Sequence, residues 1–167
     1  MGATNFLVEG VSGTGKTAVC RELQRRGIHA VNGDRDLAYQ GDPHTGAATA
    51  THDHEHHIWD LARARALIAD RSHPATYLCG GARNVAQLVA ELDAVLILEV
   101  DKETLVRRLD ERPRDEWGHD PEERELVLRL HRTREDVPRT GIVVDATPPL
   151  TEVVDTILRL SRAITPR

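Results

Sequence analysis

Gly10-Val11-Ser12-Gly13-Thr14-Gly15-Lys16-Thr17 follows directly on the apolar run Asn5-Phe6-Leu7-Val8-Glu9, and no other stretch so narrows what the chain can fold into. It matches GxxxxGK[ST] in full and stands between a predicted strand and a predicted helix, the context its mechanism requires. In such a loop the backbone amides around Gly10, Ser12, Gly13, Thr14 and Gly15 wrap phosphate oxygens while the helix N-terminus adds its dipole. Lys16 reaches the outer phosphates, and the Thr17 hydroxyl is a ligand for Mg²⁺. Of 22 basic residues only two, Lys16 and Lys102, are lysines, so a mobile point charge is reserved for this loop. A chance glycine turn is the bland alternative, and the full match in context speaks against it.

Around that motif, five short apolar runs read as strands: NFLVE, IHAVN, ATYLC, AVLILEV and GIVVD. Runs apolar on both faces suit parallel strands buried between helix layers. Segments with helical spacing alternate with them: TAVCRELQRRG, a stretch from about His54 to Asp70, RNVAQLVAELD, KETLVRRLDER, EERELVLRLHRTRED and LTEVVDTILRL. Asp120-Pro121-Glu122-Glu123 is a strong helix start, with a capping Asp, Pro at the first position and acids in the first turn. The βαβα alternation predicts an α/β fold, a three-layer αβα P-loop NTPase with a five-stranded parallel sheet. One domain over 1–167 is expected, with a long polar loop over 33–53 and a second polar interruption over 111–121.

Two strand ends carry chemistry at the edge where open α/β sheets bind ligands. The second strand ends Asn32-Gly33-Asp34-Arg35-Asp36. There Asp34 is placed to orient or deprotonate a hydroxyl or to hold Mg²⁺, with Asp36 as a second substrate contact; a turn plus a helix cap is the plain alternative. The third strand ends Cys79-Gly80-Gly81-Ala82-Arg83, without the acid usual at that position in P-loop proteins. Gly80 and Gly81 admit a ligand close to the backbone, and Arg83 can hold a polar or anionic group.

The balance of residues excludes several function classes. A net charge of −5 and only five aromatics argue against a nucleic-acid surface. With no run near the roughly 18 apolar residues of a membrane span and no basic, apolar leader in MGATNFLVEG, a cytoplasmic protein is expected. Cys20 and Cys79 lack CxxC spacing and read as buried free thiols.

With these pieces in order, the chain resembles the P-loop small-molecule kinases of the adenylate kinase-like group, most closely the shikimate kinase and nucleoside kinase branch. GDRDLA resembles that branch's DxD after the second strand, and CGGA its glycine-rich segment after the third. LEVDKETLVRRLDERPRD resembles the fourth strand, helix and lid, and GIVVDATPPLTEVVDTIL the last strand, adenine loop and final helix. The resemblance implies ATP and Mg²⁺, with Arg108 against the adenine, Arg112 as the lid arginine, and Ala146, Thr147 and Pro148 bordering the base. Arg114 and Arg132 are weaker candidates for phosphate or substrate contact. The implied reaction is transfer of the γ-phosphoryl group to a hydroxyl of a small polar molecule, held in an acceptor-binding region near 33–70 and covered by a small lid near 111–120.

The departure lies in Thr51-His52-Asp53-His54-Glu55-His56-His57-Ile58-Trp59-Asp60, where the shikimate branch presents arginines to a carboxylate. This stretch argues against shikimate itself. It reads as a polar wall for a neutral ligand, with His56 as a contact and Trp59 as a stacking surface, or as a helix start with exposed histidines. His52 and His56 at i, i+4 also permit a metal site if a helix has begun there. A nucleoside-like acceptor is favoured. A nucleoside monophosphate kinase, using Arg35, Arg63, Arg65 and Arg83 as phosphate cations, and a regulatory nucleotide switch are the alternatives. Oligomeric state is left open by the sequence.

Overall fold

The structure is a computed structural model that describes residues 3–164, so the outermost residues of the expected 1–167 unit lie outside it. Five parallel strands form the central sheet: β1 (Thr4–Glu9), β2 (His29–Asn32), β5 (Ala75–Cys79), β6 (Ala94–Glu99) and β7 (Ile142–Asp145), in the order β2-β5-β1-β6-β7. The order places β1 at the centre, paired to β5 with Val8 opposite Cys79 and to β6 with Glu9 opposite Ile97. Every residue of β1 is buried. Its alternation assigns Phe6 and Val8 to one core cluster and Leu7 to the other, as a strand covered on both faces requires.

Helices α1 (Lys16–Arg25), α4 (Lys102–Asp110), α5 (Pro121–Thr133) and α6 (Leu150–Ile164) cover the first face. Val19, Cys20 and Leu23 from α1 and Val153, Val154 and Ile157 from α6 close that core. On the other face lie α3 (Leu61–Ala69) and an antiparallel ribbon of β3 (Ala38–Gln40) and β4 (His57–Trp59), packed through Leu37, Trp59, Ala64 and Ile68. This is the fold class predicted from the sequence. Cys20 and Cys79 are buried free thiols. Among the described residues no helix is long and apolar enough to cross a membrane.

Two predicted helices are corrected. The helix expected from about His54 is a 3₁₀ turn over His54–His56, then β4, and α3 begins only at Leu61. Asp53 caps the turn through the His56 N–H at 3.0 Å, and Asp60 caps α3 through the Arg63 N–H at 3.0 Å. Between those caps Ala38 pairs with Trp59 and Gln40 with His57, so the backbone is committed to a ribbon. The second correction is RNVAQLVAELD, which forms two 3₁₀ turns, Val85–Gln87 and Val89–Glu91. Asn84 fixes its start: its Oδ1 accepts from the Trp59 N–H at 3.0 Å and its Nδ2 donates to the Trp59 carbonyl at 2.9 Å. Part of the loop expected over 33–53 is likewise ordered, as the four-residue helix α2 (Gly33–Asp36) and β3.

Candidate active site

The C-terminal ends of β1, β2 and β5 open on a cleft of about 1020 Å³. The phosphate loop forms its floor. Gly15, with φ 104°, turns the chain into α1, a conformation that favours glycine, and Lys16 is the first helical residue. Thr14 Oγ1 donates to the Val11 carbonyl at 2.7 Å, and Lys16 Nζ donates to the carbonyl of Gly10. Lys16 and Thr17 both line the cleft, as do Gly10 and Ser12.

Two arginines of the α4 end fasten onto this loop. Arg108 donates to the carbonyls of Thr14 at 3.1 Å and Gly13 at 3.4 Å, and to that of Ala146 at 2.8 Å. It therefore ties the phosphate loop to the turn after β7, where exposed Thr147 and half-buried Pro148 follow. Arg112 donates to Ser12 Oγ at 3.0 Å and to the Trp117 carbonyl. Partial burial draws both guanidinium pKa values down from their usual level. Arg114 and Arg132 do not line the cleft, and Arg132 lies instead on a second groove beside Lys102 and Arg129.

Opposite the loop stands Asp34. Its Oδ1 accepts from the Gly81 N–H at 3.2 Å and lies 3.2 Å from His57 Nε2. Burial pushes its pKa up, but the His57 hydrogen bond, the Lys16 charge and the Gly81 amide outweigh that and leave it below the ordinary aspartate value. Gly80 makes the approach possible. Its φ is 141°, and an added Cβ would stand 2.7 Å from Asp34 Oδ1 and 2.9 Å from Trp59 Cζ2.

Arg83, His54 and Asp136 form a connected group on the far wall. Arg83 pairs with Asp136 and, at 3.1 Å, with Glu55, while His54 Nε2 lies 3.0 Å from the other Asp136 oxygen. His54 also stacks on Trp117 of the 111–120 segment, with ring centroids 5.6 Å apart. Burial acts to raise the Asp136 pKa, and the His54 and Arg83 contacts bring it below its ordinary value.

Several expected contacts lie elsewhere. Trp59 is fully buried beneath Gly33 and Gly80 and offers no face to a ligand. Asp36 is exposed outside the cleft, and His56 is held by Asp53 at 2.7 Å instead of lining it. The helix that would set His52 and His56 at i, i+4 is absent, and among the described residues no group of three or more His, Cys, Asp or Glu side chains is arranged to hold a metal.

Sequence reasoning passed over Gln40, Asp136 and Trp117, which all line the cleft, while His52, His54 and His57 of the expected polar wall do line it. It also passed over Glu9. That carboxyl ends β1 at 2% exposure, accepts from the Gly10 N–H at 2.9 Å through Oε1, and leaves Oε2 buried with no partner. Burial raises its pKa to about 8, against the opposing pull of Lys16 and the Gly10 amide. The signal was present: an acid closing an apolar strand that is buried on both faces, one residue before a phosphate loop.

Residues 7–138 match a protein-family model described as AAA domain. No curated protein matches the chain. Among solved structures it is similar to a gluconokinase from Sinorhizobium meliloti 1021, at 22% identity and a TM-score of 0.60, covering 96% of this chain and 93% of that one. A sugar kinase from Janibacter sp. HTCC2649 aligns at 19% identity and a TM-score of 0.55, over 99% of both chains. Shikimate kinase from Aquifex aeolicus vf5 aligns at 16% identity and a TM-score of 0.57, over 96% of this chain and 97% of that one. The fold is thus that of the P-loop small-molecule kinases.

Proposed function

The chain belongs to the AAA domain family, and on that premise we propose that it is an ATP-dependent kinase acting on a hydroxyl of a small polar molecule. The observation that carries the proposal is the shared cleft of Lys16, Thr17 and Asp34, with Asp34 ionised and anchored between His57 and the Gly81 amide. The loop amides and Lys16 cradle the donor phosphates. Asp34 orients the acceptor hydroxyl and takes its proton, and Arg112, on the lid at 111–120, neutralises charge on the transferring group as water is excluded. By the resemblance, Arg108 and the Ala146–Pro148 turn border the adenine, a reading supported by the way Arg108 ties the phosphate loop to that turn.

The oxygen donors fit a hard cation: a hydroxyl, a carboxylate, and the unpartnered buried oxygen of Glu9 in the same cleft. Mg²⁺ would be held by Thr17 and Asp34, where it supplies positive charge against the phosphates.

At the acceptor end, over 33–70, recognition falls to hydrogen-bonding groups such as Gln40, His52 and His57. The resemblance favours a nucleoside-like acceptor within the class of neutral hydroxylated molecules, although Trp59 is too buried to stack on a base. A nucleoside monophosphate kinase is disfavoured, because it needs free cations there. Of Arg35, Arg63, Arg65 and Arg83 only Arg83 lines the cleft, and Asp136 and Glu55 already engage it.

A coupled ADP-release assay with Mg-ATP, against nucleosides, nucleoside monophosphates, polyols and aminocyclitols, tests the proposal. One unphosphorylated hydroxyl compound should raise turnover, and Lys16→Ala should abolish it. If ATP binds and no compound accelerates ADP release until a protein is added, the chain is a nucleotide switch.

A further inference from the structure

Glu9 has a feature that packing does not explain. A strand end enclosed on both faces is satisfied by an aliphatic side chain, whereas a carboxyl there forfeits hydration without regaining full hydrogen bonding. Oε1 is used by the Gly10 amide; Oε2 is buried, unpartnered and on the wall of the phosphate cleft.

The adjacent strand makes room for this group. Register sets Val8 opposite Cys79, so Glu9 runs beside Gly80 and Gly81. A Cβ on Gly81 would stand 2.9 Å from the Glu9 carboxyl carbon and nearer still to Oε1, so the glycine is required by the carboxyl. Those same glycines occupy the strand end at which P-loop proteins ordinarily present an acid toward magnesium. An acid missing from β5 and an unpartnered acid intruding from β1 are thus found in one place.

We propose that Glu9 supplies from β1 the carboxylate that β5 lacks, contacting the nucleotide-bound Mg²⁺ directly or through one of its water ligands. This rests on the kinase reading above. Mg²⁺ keeps several waters and takes few protein oxygens, so a third oxygen beside those of Thr17 and Asp34 suits it. Glu9 acts here as a positioning residue and takes no part in the proton transfer assigned to Asp34.

The test is ADP affinity by calorimetry, measured in EDTA and again with saturating Mn²⁺ as the probe, for the wild type, Glu9→Gln and Gly81→Ala. Glu9→Gln removes the group that can ionise against the metal at nearly constant shape. Gly81→Ala keeps the carboxyl and displaces it, so the two variants do not share one folding defect. The factor by which Mn²⁺ tightens ADP should fall about tenfold or more in Glu9→Gln, and in Gly81→Ala as well, where the Asp34 contact of the Gly81 amide is also disturbed; ADP affinity in EDTA reads any metal-independent damage to the phosphate loop. An unchanged Mn²⁺ factor in Glu9→Gln would overturn the role of Glu9. Absence of ADP binding to the wild type would instead remove the kinase reading on which it stands.

Discussion

Replacing Glu9 with Gln should change how stability depends on pH, and the size of the change follows from where the carboxyl sits. In the folded chain burial holds its pKa at about 8, against an ordinary 4.5. Between those values the unfolded chain has released the proton while the folded chain retains it. Stability from this group is therefore lost as pH rises, at up to about 1.4 kcal/mol per pH unit. Integrated from pH 5 to pH 8, the wild type should lose about 3–4 kcal/mol relative to Glu9→Gln, which has nothing to titrate there. The amide keeps an acceptor for the Gly10 N–H, and the burial cost of its NH₂ is the same at both pH values, so it cancels from the difference. Urea unfolding of nucleotide-free protein at pH 5, 6, 7 and 8 reads it directly, other titrating groups being common to both chains. Parallel stability curves for the two proteins would refute the reasoning and mean that Glu9 is ionised when folded.

Other consequences concern residues around the cleft. Trp59→Ala should cost about 3–5 kcal/mol, seen as a large fall in Tm, because the indole is fully enclosed; a small change would mean that the site collapses around the void. Trp117 is 38% exposed and stacks on His54, so its fluorescence should respond to a non-hydrolysable ATP analogue, and Trp117→Phe should remove that response while the buried Trp59 signal stays constant. Arg108→Ala, which cuts the tie between the phosphate loop and Ala146, should raise KM for ATP about tenfold with little effect on the acceptor KM in steady-state kinetics. Asp34→Asn should bind ATP normally in calorimetry while slowing transfer by about 10²–10⁴-fold.

The sheet and phosphate loop were legible because their signals are local. A strand buried on both faces must be apolar throughout, and a loop that wraps phosphate must be glycine-rich. The misread segments obey longer-range forces. RNVAQLVAELD has helical spacing, yet Asn84 spends both ends of its amide on the Trp59 backbone and breaks the first turn. The histidine stretch carries two capping aspartates, Asp53 and Asp60, and only pairing with β3, distant in sequence terms, decides that β4 lies between them. Trp59 looked like a ligand surface beside polar neighbours, but Gly33 and Gly80 leave the space that draws it into the core. Glu9 was visible as a letter and not as a site, since its meaning depends on Gly81 in a neighbouring strand.

The most direct measurement follows the phosphoryl group itself: incubate the protein with γ-³²P-labelled ATP, Mg²⁺ and an unphosphorylated hydroxyl compound that accelerates ADP release, then separate the labelled products. The account predicts label in a phosphate monoester of that compound, lost with Lys16→Ala and Asp34→Asn. Label found only in inorganic phosphate, or only in a diphosphate formed from a nucleoside monophosphate, would contradict it.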